Sequence, residues 1–217
     1  MKKKRILALF FAAVSCLSLA VSASAATTVN RKTTNFKDYD RTAWYAEAVS
    51  AAVDNGLLYG KSSTIIDPNG DMTRAEMAAI INRSFGCYKA ADISQYKDVT
   101  KSKWYYKDVA MAVQMGTYNG RSSSAMAPDA PISRQEAMTV VARALELDYD
   151  AYTKTDLSAF SDRDKISTWA LPYVRAMIGA GYIHGRGKIL APLENITRAE
   201  FAQIFHNIIG SYITVKG

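Results

Sequence analysis

One unit occurs three times along this chain, and the repetition limits the possible folds more than any other feature. The only three tryptophans are separated by 60 and 65 residues, and each is followed by a glycine after twelve residues and by another four residues later. The three sets are Trp44, Trp104 and Trp169, then Gly56, Gly116 and Gly181, then Gly60, Gly120 and Gly185. Because each unit is too short to bury an apolar face alone, the three units must pack on one another.

Two further motifs recur in every unit. An aromatic residue, any residue and an aspartate precede the tryptophan, at 36–38, 96–98 and 160–162. A Thr/Ser-Arg-x-Glu motif follows the second glycine, at 73–76, 133–136 and 197–200. Its first and last residues have the spacing of a helix capping box, in which each side chain accepts a hydrogen bond from the other residue's backbone amide. Each unit is therefore predicted to be a helix, a loop and a second helix, and the fold class to be all-α.

The loop between the two helices also has recurring features. The first glycine of each pair falls just after the first helix, where a left-handed residue commonly ends a helix. Residues 65–68 and their counterparts are predicted to be extended, because the residue before a proline avoids the α region. The units are predicted at 36–85, 96–145 and 160–209, with linkers at 86–95 and 146–159.

The N-terminus has the pattern of a secretory signal peptide at 1–25: four basic residues, an unbroken apolar run at 6–14, and Ala23-Ser24-Ala25. The alternative is a lipidated N-terminus at Cys16. Four of the 27 basic residues lie in this segment, so the exported chain has only a small positive charge against its 20 acidic residues. This weak charge disfavours nucleic-acid binding, which needs a clustered basic face. No later stretch is apolar enough to span a bilayer, so secretion to the bacterial cell wall or surface is expected.

Beyond the repeats the sequence predicts little else. Only a short segment at 26–35 precedes the first unit, which is too short for a further domain. Any enzyme or lattice-forming domain is therefore expected to belong to a separate surface-protein chain. Three units in one chain predict a monomer. One cysteine, Cys87, remains after the signal peptide, which excludes an intramolecular disulfide.

No catalytic residue, metal site or cofactor is predicted. His184 and His206 are the only histidines, and no set of cysteine, histidine and carboxylate residues has the spacing of metal ligands. The repeated glutamates are explained by their place in the capping boxes.

The arginine in each capping motif is locally unfavourable, because it faces the positive end of the helix dipole. An unfavourable residue at the same position in all three units requires an explanation. The arginines are Arg74, Arg134 and Arg198. A guanidinium beside free helix amides would bind a carboxylate or phosphate, and an exposed arginine there would add little stability. The alternative is a salt bridge to an acid of the neighbouring unit, such as Asp38, Asp98 or Asp162.

The tryptophans also have two interpretations. They are either core residues or exposed indoles that offer an apolar face to a sugar ring. Three tyrosines near the second glycines could line the same cleft, namely Tyr59, Tyr118 and Tyr182.

Taken together, the motifs resemble the S-layer homology motif, in three tandem copies over about 36–209. The resemblance implies a pseudo-threefold bundle of helices with grooves between adjacent copies. It also implies non-covalent attachment to a secondary cell-wall polysaccharide or another peptidoglycan-linked glycan, often through a terminal sugar that bears a pyruvate ketal. The groove residues implied by motif position are Asp38, Trp44, Gly56 and Arg74, then Asp98, Trp104, Gly116 and Arg134, then Asp162, Trp169, Gly181 and Arg198.

Some positions depart from the family pattern, so the three grooves need not bind equally. Tyr39 stands where the family prefers valine, and Asn207 replaces the helix arginine found at Arg83 and Arg143. The expected function is non-catalytic binding to an anionic wall polysaccharide. Two alternatives stay open: a structural surface protein that binds a protein partner, and an enzyme of wall metabolism.

Overall fold

The computed structural model describes residues 35–214, with side chains as far as residue 209. The predicted signal peptide at 1–25 and the alternative lipidation site at Cys16 lie outside the described residues. The described part contains six α-helices, and the all-α prediction is confirmed. They are α1 (Ala46–Asp54), α2 (Arg74–Phe85), α3 (Tyr106–Gln114), α4 (Arg134–Ala144), α5 (Leu171–Gly179) and α6 (Arg198–Thr214). None of these helices is long and apolar enough to cross a membrane.

The predicted helix ends are present. At the start of α2, the Thr73 hydroxyl accepts a hydrogen bond from Glu76 N at 3.2 Å, and the Glu76 carboxylate accepts one from Thr73 N at 3.0 Å. The same capping box begins α4 and α6. Gly56, Gly116 and Gly181 follow the shorter helices with φ between +68° and +77°, as expected for left-handed residues after a helix.

The prediction of an extended backbone before each loop proline is wrong. Asp67, Ala127 and Ala191 precede the prolines, and their φ values of +51° to +55° lie in the left-handed region. The aspartate of the aromatic-x-Asp motif explains this: Asp38 accepts hydrogen bonds from Ile66 N at 2.9 Å and Asp67 N at 2.7 Å. Asp98 and Asp162 hold their own loops in the same way. Two charge-assisted hydrogen bonds thus outweigh the local preference of the residue before proline.

Contacts between repeats follow a closed order. Helix α2 packs on α3, α4 packs on α5, and α6 packs back on α1. Near the helix starts, Ile132 N donates to Met72 O at 3.0 Å, Ile196 N donates to Ile132 O at 3.1 Å, and Met72 N donates to Ile196 O at 3.0 Å. These three fully buried residues therefore join the repeats in a ring of backbone hydrogen bonds. The cyclic order is established, while the exact pseudo-threefold arrangement and the repeat boundaries stay predictions.

The polar linker at 146–159 packs against the third repeat. Its short 3₁₀ helix, Tyr149–Tyr152, contacts α5. The approach is close at Gly179, where an added Cβ would lie 2.5 Å from Thr155 Oγ1 and 2.5 Å from Tyr152 Cδ1. Only glycine allows the linker to lie against the helix at this point.

We expect Asp98→Asn to lower the free energy of unfolding by about 2 kcal/mol, because the amide keeps only one acceptor oxygen for the amides of Met126 and Ala127. Urea denaturation measures the change. Asp164→Asn is the control, since the Asp164 side chain is 88% exposed and its loss should cost under about 0.5 kcal/mol. Equal effects of the two substitutions would show that the hydrogen bonds accepted by Asp98 contribute nothing to stability.

Candidate functional site

The arginine at the start of each longer helix is buried and reaches into the next repeat. The Arg74 side chain is only 5% exposed. Its Nε donates to Met126 O at 2.8 Å, its Nη2 donates to Asn119 O at 3.0 Å, and its Nη1 pairs with Glu136 Oε1 at 3.0 Å. The capping-box glutamate of the second repeat is therefore the partner of an arginine from the first.

We call this contact between an arginine and the glutamate of the next repeat a joint, and the other two joints are built in the same way. Arg134 pairs with Glu200 at 2.9 Å and donates to Leu190 O at 2.8 Å. Arg198 of the third repeat returns to the first, where it pairs with Glu76 at 3.2 Å and donates to the carbonyls of Ile66 and Tyr59. A salt bridge to the neighbouring unit was one of the two interpretations, but the suggested aspartate partners were wrong. Those aspartates instead accept hydrogen bonds from their own loops.

The helix starts do not offer the free amides that an anion site there would need. Arg74 N donates to Ala130 O at 3.0 Å, and Ala75 N donates to Pro128 O at 2.9 Å. The first two amides of α4 and α6 are used by the neighbouring repeat in the same way, and the third is capped. The expectation of free helix amides is therefore wrong.

A groove of about 400 Å³ lies above the joint that Arg74 makes. It combines residues of three repeats, because Arg74 comes from the first, Trp169 from the third and the rest from the second. We call it the Arg74 groove, and its main lining residues are Arg74, Tyr118, Arg121, Glu136, Arg143 and Trp169. A second groove of about 250 Å³, the Arg134 groove, combines Arg134 and Glu200 with Trp44, Tyr182 and Arg186.

Each groove thus combines predicted site residues from different repeats, and not the arginine and tryptophan of one repeat. Arg74 shares a groove with Trp169, and Arg134 shares one with Trp44. The three aspartates fix the backbone of their loops, and Gly56, Gly116 and Gly181 end the shorter helices. Neither set is among the residues that line these two grooves.

The tryptophans are exposed, so the interpretation of them as core residues is wrong. Trp44, Trp104 and Trp169 are 63%, 62% and 49% exposed. Trp44 and Trp104 each contact the following tyrosine edge-to-face, at centroid distances of 5.5 and 5.4 Å. Because those tyrosines are buried, each pair fixes an exposed indole on a rigid core residue.

The Arg74 groove has an excess of positive charge. Arg74, Arg121 and Arg143 line it together with a single carboxylate, Glu136. Burial alone would raise the pKa of Glu136, but the hydrogen bond from Ser133 N and the charges of Arg74 and Arg121 hold that pKa below its ordinary value. The carboxylate is ionised at neutral pH, and two of the three guanidinium groups remain in excess over it.

Sequence reasoning missed the cation that directly follows each second glycine. Arg121 pairs with Glu136 at 3.3 Å, and its equivalents Lys61 and Arg186 pair with Glu76 and Glu200, both at 2.6 Å. The signal was present, since aligning the three units places a basic residue at this position each time.

Comparison with known proteins identifies the family. The S-layer homology domain matches residues 35–78, 95–138 and 159–202, which is more than half of the chain. The chain belongs to the S-layer homology domain family. Membership supports an anchoring role at the bacterial cell surface or wall.

Three relatives illustrate how this family segment is used. The chain is 36% identical to a surface-layer 125 kDa protein of Lysinibacillus sphaericus over 56% of its own length and 11% of the relative's. It is 28% identical to an amylopullulanase of Thermoanaerobacterium thermosulfurigenes, over 79% and 10% of the two lengths. It is 24% identical to an endoglucanase of Bacillus sp. (strain KSM-635), over 95% and 22%. The chain therefore spans less than a quarter of each relative.

We expect Arg74→Ala to lower the free energy of unfolding by about 3 kcal/mol, because the buried carbonyl of Met126 and the carbonyl of Asn119 lose their donor and Glu136 keeps only Arg121 as an ion-pair partner. This reverses the expectation of little stability for an arginine at this position. Chemical denaturation gives the value, and Arg41→Ala, at an exposed site, is the control. If the two variants unfold alike, the joint is not a source of stability.

Acid should weaken the joints. The pKa values of Glu76, Glu136 and Glu200 lie below the ordinary value of 4.5, so their contribution is present above pH 4.5 and is lost as the pH falls through the lowered values. We expect the melting temperature to fall below about pH 4.5. In Glu136→Gln this acid-dependent fall should be smaller than in the unmodified chain. Parallel curves for the two proteins would contradict the assignment.

Proposed function

We propose that the chain attaches non-covalently to an anionic secondary polysaccharide of the bacterial cell wall through the grooves between its repeats. The observation that carries the proposal is the Arg74 groove, which combines surplus guanidinium groups with an exposed indole. A carboxylate on a sugar, such as that of a pyruvate ketal, pairs well with a guanidinium fork. The apolar face of the sugar ring packs on an indole.

Within this proposal the predicted residues have separate roles. Trp169 and Arg121 contact the ligand, since both are substantially exposed in the groove. Arg74 forms the floor, because most of its donors are already used by Met126, Asn119 and Glu136. The aspartates and glycines of the motif act indirectly, by holding the loops that carry the groove residues.

The relatives favour attachment over catalysis. Their names describe a surface-layer protein, an amylopullulanase and an endoglucanase, yet each shares only a small part of its length with this chain. A segment common to proteins of such different names is best explained by a shared means of localisation. On this basis we propose a secreted, non-catalytic wall-binding chain. Because its three repeats close on one another within one chain, we propose that it acts as a monomer.

Sedimentation with purified wall sacculi tests the proposal. We expect the purified chain to sediment with intact sacculi and to remain in solution once acid has stripped the secondary polysaccharide from them. Binding that survives stripping would identify peptidoglycan as the ligand and contradict the proposal. Binding to a surface protein in place of sacculi would favour the protein-partner alternative.

Replacing the two groove tryptophans, Trp44 and Trp169, by alanine should weaken sedimentation at least about tenfold, since each groove loses its exposed indole. Tyr88→Ala is the matched control, because Tyr88 is an exposed aromatic residue outside both grooves. The melting temperature of each variant checks that it is folded. Unchanged binding of the folded double variant would remove the two indoles from the proposed site.

A further inference from the structure

A cleft of about 690 Å³ lies away from both grooves, between residues 153–158 and the start of α5. Its lining includes three basic residues, Lys154, Arg163 and Arg175, and hydroxyl groups of Thr153, Thr155 and Ser158. None of these side chains lines either groove. We call it the 153–158 cleft.

Arg175, one of the residues that line the cleft, carries an unsatisfied donor. Its Nε is buried and has no hydrogen-bond partner among the residues that the structure describes. A buried donor without a partner costs about 1–3 kcal/mol, so folded proteins keep few of them. A guanidinium group pairs best with a carboxylate or phosphate, which it can contact through two parallel hydrogen bonds.

The cleft has an excess of one positive charge, because its three basic residues lie beside only two carboxylates, Asp156 and Asp164. Both oxygens of Asp156 are used within its own turn, by Ser158 N at 2.8 Å and by the Ser158 hydroxyl at 2.7 Å. Asp164 is 88% exposed, and it approaches Arg163 only to 3.9 Å. Among the described residues, neither carboxylate forms an ion pair with Arg175 or Lys154.

We propose that the 153–158 cleft is a second binding site, for a sugar that bears a carboxylate or phosphate group. The cations hold the anionic group, and the hydroxyls and the apolar side chains of Ile166 and Leu171 contact the sugar ring. Trp169 of the Arg74 groove and Leu171 of the cleft are two residues apart along the chain.

Isothermal titration calorimetry with small probes tests the site without any wall polymer. The probes are glucuronate, glucose 6-phosphate, glucose and inorganic phosphate, each titrated into the purified chain. We expect saturable binding of at least one anionic sugar, and an affinity at least tenfold lower in Arg175→Gln and reduced in Lys154→Gln. Arg41→Gln, at an exposed residue that lines neither the cleft nor the grooves, should bind like the unmodified chain.

The outcomes separate the sources of the anion. Preference for glucuronate identifies a sugar carboxylate, and preference for glucose 6-phosphate identifies a sugar phosphate. Inorganic phosphate binding as tightly as both sugars would indicate an adventitious ion only and would overturn the proposal. Equal binding of glucose, no saturable binding, or full affinity in the folded Arg175→Gln and Lys154→Gln variants would overturn it as well. Because the sedimentation assay plays no part here, the two proposals fail independently.

Discussion

The buried pair between each capping-motif arginine and the next repeat's glutamate is the interaction on which the rest of the structure depends. Glu136 caps its own helix through Ser133 and neutralises Arg74 from the preceding repeat. One carboxylate therefore fixes both a helix start and a joint between repeats. Since Arg198 of the third repeat closes on Glu76 of the first, the three joints support one another, and none is an open end. A charge buried at the edge of the helices is tolerated because every joint supplies its partner.

The same joints create the grooves. Arg74 donates to two carbonyls of a loop in the second repeat and so holds that loop against its own helix, and the space above this contact is the Arg74 groove. The cation after the second glycine then lies at the groove edge, where Arg121 is partly exposed. Under the proposed function, stability and ligand binding are divided between two kinds of basic residue. The buried arginine holds the groove together, and the exposed one remains available to a ligand.

Local features of this fold could be predicted from the sequence, and contacts between distant residues could not. The capping boxes and the left-handed glycines depend on residues within a few positions, so their spacing was sufficient. The left-handed Asp67 was missed because its conformation depends on Asp38, 29 residues earlier. The partner of Arg74 was missed because Glu136 lies 62 residues away, and a repeated motif does not tell which copy it meets. For the same reason the pairing of Arg74 with Trp169 in one groove could not be predicted.

The central claim is that the indoles and guanidinium groups of the grooves bind an anionic wall glycan. The most direct measurement is an NMR titration of the three indole N–H signals, one for each tryptophan of the chain, with secondary polysaccharide released from wall sacculi. We expect saturable shifts of the signals of Trp44 and Trp169, which line the grooves, and smaller shifts after the anionic groups of the polysaccharide have been removed. Signals of these two indoles that stay unchanged while the polysaccharide binds would contradict the claim.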